Sequence, residues 1–265
     1  MDTDNRKFAV VTGASSGIGF ELARQCVEHG FDVLVCSSGT EIQQVPATLG
    51  GDGATVEAVQ ADLATPEGCE KLMNHIRATG RPVDALLLNA GVGVGGSFLE
   101  TDLAEELRMI ALNCGAVVHL AKLVVPTMVA RGSGRVLVTA SIASSAPTPY
   151  MSVYGATKAF DLSFAEALRH ELEDTGVTVT ALQPGATDTN FFARADMEDT
   201  KVAQADNDDP AEVAKEGFEA MMKGEATVVA ASMKSKLYGM AHEVLPEGMK
   251  ARAQAKQTRP GSARH

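Results

Sequence analysis

Residues 8–19, FAVVTGASSGIG, restrict the possible folds of this chain more than any other stretch. Phe8, Ala9, Val10 and Val11 form a short apolar run of the kind found in a strand buried on both faces of a parallel sheet. The run breaks at Gly13, passes through Ser15, Ser16 and Gly17, and enters a helix at Ile18-Gly19. Glycines at a strand-to-helix turn permit tight backbone angles. They also let backbone N–H groups approach a pyrophosphate at the positive end of the helix.

The same rhythm continues along the chain. Residues 18–29 read as an amphipathic helix closed by Gly30, and residues 31–36 as a second strand. Residues 55–59 make a third strand ending at Ala61-Asp62, after which Thr65, Pro66 and Glu67 supply a capping hydroxyl, a proline at the first helical position and an acid. A fourth strand, 83–88, leads into Asn89-Ala90-Gly91. A helical stretch over 102–131 carries Asn113, and a fifth strand, 135–140, ends at Ser141. Residues 177–182 and 227–230 are the sixth and seventh strands. Strands alternating with helices imply an α/β fold, a doubly wound parallel sheet of Rossmann-like type, and the length suits a single domain over 1–265. Ligands of such sheets bind beyond the carboxyl ends of the strands. Gly13, Asn89, Ser141 and Pro184 each fall just past a strand end, so one cleft can collect them.

The chemistry centres on Tyr154-Gly155-Ala156-Thr157-Lys158, with Ser141 thirteen residues upstream. A tyrosine and a lysine four apart on a helix project from one face. Phe160, Phe164, Ala167, Leu168 and Leu172 continue the helical spacing as far as Gly176. A phenol ionises near pH ~10, so a proton shuttle near neutrality needs its pKa lowered by about 3, worth about 4 kcal/mol. One ammonium supplies part of that, and a bound cationic cofactor ring would supply more. Tyr154 is then a candidate general acid or base, with the Ser141 hydroxyl a donor toward the same reacting oxygen.

These segments together resemble the short-chain dehydrogenase/reductase family in its single-domain form, over roughly residues 6–230. Thr12-Gly13-Ala14-Ser15-Ser16-Gly17-Ile18-Gly19 matches its TGxxxGxG turn and Asn89-Ala90-Gly91 its NAG segment. Asn113, Ser141, Tyr154 and Lys158 match its catalytic tetrad, and Pro184-Gly185 with Thr187 and Thr189 its PG-x-x-x-T stretch. The resemblance implies that Lys158 grips the nicotinamide ribose and that Asn113 holds a water linking Lys158 to solvent. It places Asp62, with Leu63, at the adenine and has Asn89 steady the central strands. Pro184, Gly185 and Thr187 would line the nicotinamide side. Asp62 as a plain turn residue, Asn113 as an ordinary helix position, and Ser144 or Ser145 in place of Ser141 stay open. Family members pair through the helices carrying Asn113 and Tyr154, so a homodimer or homotetramer is expected.

The dinucleotide is NADP or NAD. An acid ending the second strand would indicate NAD and an arginine NADP; here Ser37-Ser38-Gly39-Thr40 follow, with neither. Without the acid a 2′-phosphate is not repelled, and Ser37, Ser38 and Thr40 can donate to it, which favours NADP. The expected function is an NAD(P)-dependent oxidoreductase moving hydride between nicotinamide and a carbonyl or secondary alcohol. Low charge in residues 92–98 and 142–150 and at Phe191-Phe192 points to a small to medium, partly apolar substrate. The alternative is a dinucleotide-sensing regulator that does not turn over. Dehydration or epimerisation would need further acid/base groups, and none is evident.

A net charge of −11 argues against nucleic acid as a partner. Four scattered cysteines and six dispersed histidines lack ligand spacing, so no metal is expected. The polar start carries no signal sequence, and residues 116–130 are broken by His119, Lys122 and Pro126, so a cytoplasmic location away from membranes is the default. Residues 186–209 lose strand periodicity and read as a substrate lid, best over 187–193 where Phe191 and Phe192 could cover a substrate, while the acidic second half reads equally as a solvated surface loop; residues 246–265 are a basic tail. A helix over 234–249 is expected to cross the mouth of the cleft, and Arg259-Pro260-Gly261 to fray.

Overall fold

The computed structural model describes residues 6–51, 53–230 and 247–264. Seven strands form one parallel sheet in the order β3-β2-β1-β4-β5-β6-β7. They are β1 (Lys7–Thr12), β2 (Phe31–Ser37), β3 (Val56–Gln60), β4 (Ala85–Leu88), β5 (Gly134–Thr139), β6 (Val177–Pro184) and β7 (Thr227–Ala230). Strand order reverses between β1 and β4, which opens a crevice at their carboxyl ends. Every expected strand is present, with ends differing by a residue or two.

Side chains alternate across each strand, so each divides its apolar residues between two cores. Val10, Leu34, Leu86, Val136 and Val179 pack under α3 (Pro66–Ala78), α5 (Ala116–Arg131) and α6 (Ser152–Glu171). Their neighbours Val11, Val33, Leu87, Leu137 and Leu182 pack under α1 (Gly17–Glu28), α2 (Val45–Leu49) and α8 (Pro210–Lys223). Thr65 caps α3 as expected, its hydroxyl accepting from Gly68 N at 3.1 Å.

Four departures from the sequence expectations matter. Helix α8 was not foreseen, although its start signal is present: Asp209 accepts from Ala211 N at 2.9 Å, Pro210 follows, and Glu212 lies in the first turn. Asp209 therefore caps a core helix rather than ending an acidic lid. The helical stretch 102–131 is continuous but contains a π turn (Ala111–Gly115) between α4 (Leu103–Ile110) and α5, and Asn113 sits in that turn. By length and composition the 29 residues Leu103–Arg131 are apolar enough to cross a membrane, contrary to the expectation; in this fold α5 buries Val117, Leu120, Val124 and Met128 in the core.

The tail is the third departure. Helix α9 (Glu247–Thr258) and the 3₁₀ turn Ser262–Arg264 are bonded to the segment after β6. Gly261 N donates to Asp199 Oδ2 at 2.7 Å, Ala263 N to Asp199 O at 3.0 Å, and Lys201 N to Ser262 Oγ at 2.9 Å. The Arg259 guanidinium lies 5.8 Å from the centre of the Tyr150 ring. Arg259-Pro260-Gly261 is thus pinned rather than frayed. Most of the helix expected over 234–249 lies outside the described residues; the described helix begins at Glu247. Fourth, the segment 186–209 is not loop throughout: it holds α7 (Phe191–Arg194), and Thr187 bridges to Asp208.

Candidate active site

One cleft of about 860 Å³ runs from the glycine turn, across the carboxyl ends of β1, β4, β5 and β6, to α7 and α9. Backbone conformation explains the turn. Gly13 (φ +68°) and Gly17 (φ +57°) occupy left-handed space that other residues enter at a cost. A Cβ on Gly17 would lie 2.8 Å from Thr189 Cγ2, and one on Gly19 would overlap Gly13 O and Asn89 Nδ2. Glycine alone leaves that surface open at the N-terminus of α1, which is the shape and polarity a pyrophosphate requires.

The expected cofactor residues Gly13, Ser15, Ser16, Gly17, Ile18, Gly19, Ser37, Ser38, Asp62, Leu63, Asn89, Ala90 and Gly91 all line the cleft. So do Pro184, Gly185, Thr187 and Thr189. Asn89 ties three strands together: its N–H donates to Thr12 Oγ1 (3.0 Å), its Nδ2 to Thr12 O (3.2 Å), and its Oδ1 accepts from Thr139 Oγ1 (3.1 Å). Asp62 makes a local turn and also lines the cleft. Oδ1 accepts from Ala64 N at 3.1 Å in a local turn, while Oδ2 faces the cleft and pairs with Arg108 at 2.9 Å. The Arg108 guanidinium holds the Asp62 carboxyl below its ordinary value. Arg108, 46 residues away on α4, carried no sign of this in the sequence.

Ser141, Tyr154 and Lys158 also line the cleft. Ser141 follows β5 and starts a 3₁₀ turn (Ile142–Ser145), its Oγ accepting from Ala143 N at 3.1 Å. Ser144 is not an alternative to it. Its Oγ donates to Lys158 O at 2.9 Å and accepts from Ser141 N at 3.3 Å, fastening the turn to α6. Helix α6 starts at Ser152, so Tyr154 and Lys158 lie one turn apart on it. The Tyr154 ring is half-buried, with its centre 5.2 Å from that of Phe191.

Lys158 is 5% exposed, and its Nζ donates to Thr139 O at 2.8 Å and Asp161 Oδ2 at 3.0 Å. Burial disfavours the ammonium, but Asp161 and then Tyr154 outweigh it, and the Lys158 pKa is raised. Burial also pushes the Tyr154 phenol up; the Lys158 charge and the Ser141 hydroxyl pull it back. Burial is the larger effect, so the phenol lies above its ordinary value.

Asn113 is placed behind the cleft wall rather than in it. Fully buried, it accepts from Val92 N at 3.0 Å and donates to Val92 O (2.9 Å) and Thr157 Oγ1 (3.0 Å). Its amide clamps the loop after β4 to α6, and Gly91 lies between it and Lys158: a Cβ there would be 3.3 Å from Asn113 Oδ1 and 3.4 Å from Lys158 Nζ.

Four similarities bear on this arrangement. The sequence profile of the family described as short chain dehydrogenase matches residues 7–200. Ketoacyl reductase HetN of Nostoc sp. is 32% identical over 186 residues, 70% of this chain and 65% of that protein, so the match spans just under two thirds of HetN. Oxidoreductase UcpA of Salmonella typhimurium is 32% identical over 213 residues, 79% of this chain and 78% of UcpA. Among solved structures, a short-chain dehydrogenase from Sphingobium yanoikuyae in complex with NADPH superposes with a TM-score of 0.79 at 29% identity, covering 89% of this chain and 92% of that one. With a profile matched over most of its length, and the same fold around one cleft, this chain belongs to the short-chain dehydrogenase family.

Proposed function

We propose that the protein is an NADP-preferring oxidoreductase that interconverts a carbonyl and a secondary alcohol. The observation that carries this reading is the convergence of Ser141, Tyr154 and a buried, charged Lys158 in the cleft that begins at the glycine turn. When bound, the nicotinamide supplies or accepts the hydride. Ser141 Oγ donates to the carbonyl oxygen and Tyr154 Oη delivers the proton to it. Lys158 has three N–H donors, two of them used on Thr139 O and Asp161, so one remains for a ribose hydroxyl. Asn113 keeps α6 and the loop after β4 in register.

The preference for NADP rests on the end of β2. Ser37 Oγ donates to Ser15 Oγ at 3.2 Å, Ser38 lines the cleft beside them, and Asp62 is neutralised by Arg108. The NADPH bound by the Sphingobium relative is consistent with this. Ser38→Asp is expected to weaken NADPH binding at least ~10-fold, about 1.4 kcal/mol, by placing a carboxylate against the 2′-phosphate, and to spare NADH. Fluorescence titration with both cofactors checks it; equal losses would reject the placement.

We read 186–208 as the lid, Asp209 being the cap of α8. Phe191 and Phe192 wall the cleft, Gly95 N donates to Ala195 O at 3.0 Å, and Gln254 and Thr258 of α9 complete the rim. Thr258 Oγ1 donates to Pro149 O at 2.7 Å, so the tail braces the loop before α6. Ile142, Met151, Phe191 and Val202 suit a partly apolar substrate. Self-association is assigned to the exposed apolar stripe of Leu99, Leu103, Leu107 and Ile110 with Phe160 on α6. The deciding test adds NADPH or NADH separately to a panel of ketones and aldehydes and follows loss of nicotinamide absorbance. Binding without turnover across the panel would favour a dinucleotide-sensing regulator instead.

A further inference from the structure

Helix α9 is held between two walls of the cleft. On one side Thr258, 2% exposed, donates from Oγ1 to Pro149 O at 2.7 Å, and the Arg259 guanidinium lies over the Tyr150 ring. Tyr150 has φ +64°, a left-handed conformation that a bulky residue keeps only where its surroundings hold it, and its carbonyl accepts from Gly96 N at 2.8 Å. On the other side Val202 N donates to Gln257 O at 3.2 Å and Gly261 N to Asp199 Oδ2 at 2.7 Å. Both walls lead to the reacting end, because Met151 and Val202 share one cluster with Tyr154, Phe191 and Phe192. The face that α9 turns to the cleft therefore lies at the substrate end, away from the glycine turn.

Gln254 and Thr258 of α9 line the cleft, one helical turn apart on one face. The Thr258 hydroxyl is engaged by Pro149 O and by Gln254 O at 3.0 Å. The side-chain amide of Gln254 is different: it is partly buried and makes no hydrogen bond among the described residues. It offers two N–H donors and a carbonyl acceptor in a part of the cleft walled by Met151, Phe191, Phe192 and Val202. The helix brings no charge there, since Arg252 and Lys256 are exposed and neither lines the cleft. Arg194, the charged side chain that the lid contributes to the lining, is exposed at the end of α7.

We propose that Gln254 is a specificity-determining residue that reads a second, uncharged hydrogen-bonding group on the substrate, a hydroxyl or ester oxygen separated from the reacting carbonyl by an apolar body. Such a ligand gives the amide a partner, whereas an all-hydrocarbon ligand displaces water from it and returns nothing, which is costly for a polar group. A hydrogen bond made equally in the bound ketone and in the transition state acts on KM rather than on kcat. The assignment rests on the oxidoreductase reading for the reacting carbonyl, but the contact between Gln254 and the far end of the ligand is a binding property and is measured as one.

The test uses medium-length methyl ketones of one carbon skeleton whose far end is a methyl, a hydroxyl or a carboxylate, each reduced with NADPH. The hydroxyl-ended ketone is expected to exceed the methyl-ended one about 10-fold in kcat/KM. Gln254→Leu should raise KM for the hydroxyl-ended ketone about 10-fold and bring the two level, with the loss in KM rather than in kcat. If Gln254→Leu disturbs folding, judged by circular dichroism, Gln254→Met, closer in length and flexibility, is read by the same criterion. A preference that survives the substitution, or a methyl-ended ketone preferred by the unaltered protein, overturns the proposal. Preference for the carboxylate also overturns it and assigns the reading to Arg194. If no ketone is reduced, the oxidoreductase reading fails, and calorimetry of the same three ketones on the NADPH-loaded protein decides the Gln254 assignment alone. There a hydroxyl-over-methyl preference lost in Gln254→Leu upholds it, and equal binding or no binding overturns it.

Discussion

Tyr154→Phe is expected to lower kcat for carbonyl reduction about a thousandfold while changing NADPH affinity by no more than about threefold. The ring survives the substitution, so the packing against Phe191 at 5.2 Å and the wall of the cleft are retained. Only the Oη–H is lost, and with it the proton that neutralises the developing alkoxide. Ser141 still donates a hydrogen bond to that oxygen, but an aliphatic hydroxyl is a weaker acid than a phenol and does not deliver its proton. Steady-state rates with a reducible ketone give kcat, and quenching of protein-bound NADPH fluorescence gives affinity. Turnover within tenfold of the starting enzyme would remove Tyr154 from its role. A parallel loss of NADPH binding would show that the ring shapes the cofactor site instead.

The second large effect is expected from one methyl group. Gly19→Ala places a Cβ inside contact distance of Gly13 O and Asn89 Nδ2. Neither neighbour can yield cheaply: Gly13 is backbone in a left-handed turn, and Asn89 is bonded to both Thr12 and Thr139. The helix must move away from the turn, which costs about 2–3 kcal/mol and lowers Tm by about 5–10 °C. Displaced backbone N–H groups should also weaken dinucleotide binding at least ~10-fold, about 1.4 kcal/mol. Gly115→Ala is the control. Its added Cβ meets nothing within 4 Å, and its αR backbone suits alanine, so it should be neutral or slightly stabilising. Thermal melts and cofactor titrations of the pair separate a specific clash from a general intolerance of glycine replacement.

The two effects differ in what can be foreseen. The glycine turn and the Tyr154–Lys158 pair were legible because each depends on contacts close in sequence. Glycine at a strand-to-helix junction and two residues one helical turn apart have the same local geometry in any surroundings. Arg108 and Asp62 meet because α4 crosses the end of β3, and no periodicity in either segment reports that crossing. Helix α8 is an intermediate case. Asp209, Pro210 and Glu212 carried the start signal, but a run of acids just before it resembled a solvated loop. The tail was misjudged for a similar reason: Pro260 and Gly261 look like a frayed end until Asp199 is found accepting from Gly261 N.

From sequence alone came the seven strands, the side of the sheet on which a ligand must lie, and the tyrosine, lysine and serine that face it, since strand periodicity and helical spacing are properties of short segments. The three-dimensional structure decided the electrostatics. An acid three residues after a lysine on a helix is, by pattern, a solvated pair of small consequence. Asp161 becomes something else because α6 presses that side of itself against the π turn and the end of β5, excluding water from the charge. Dielectric surroundings depend on everything packed nearby, and no local pattern encodes them.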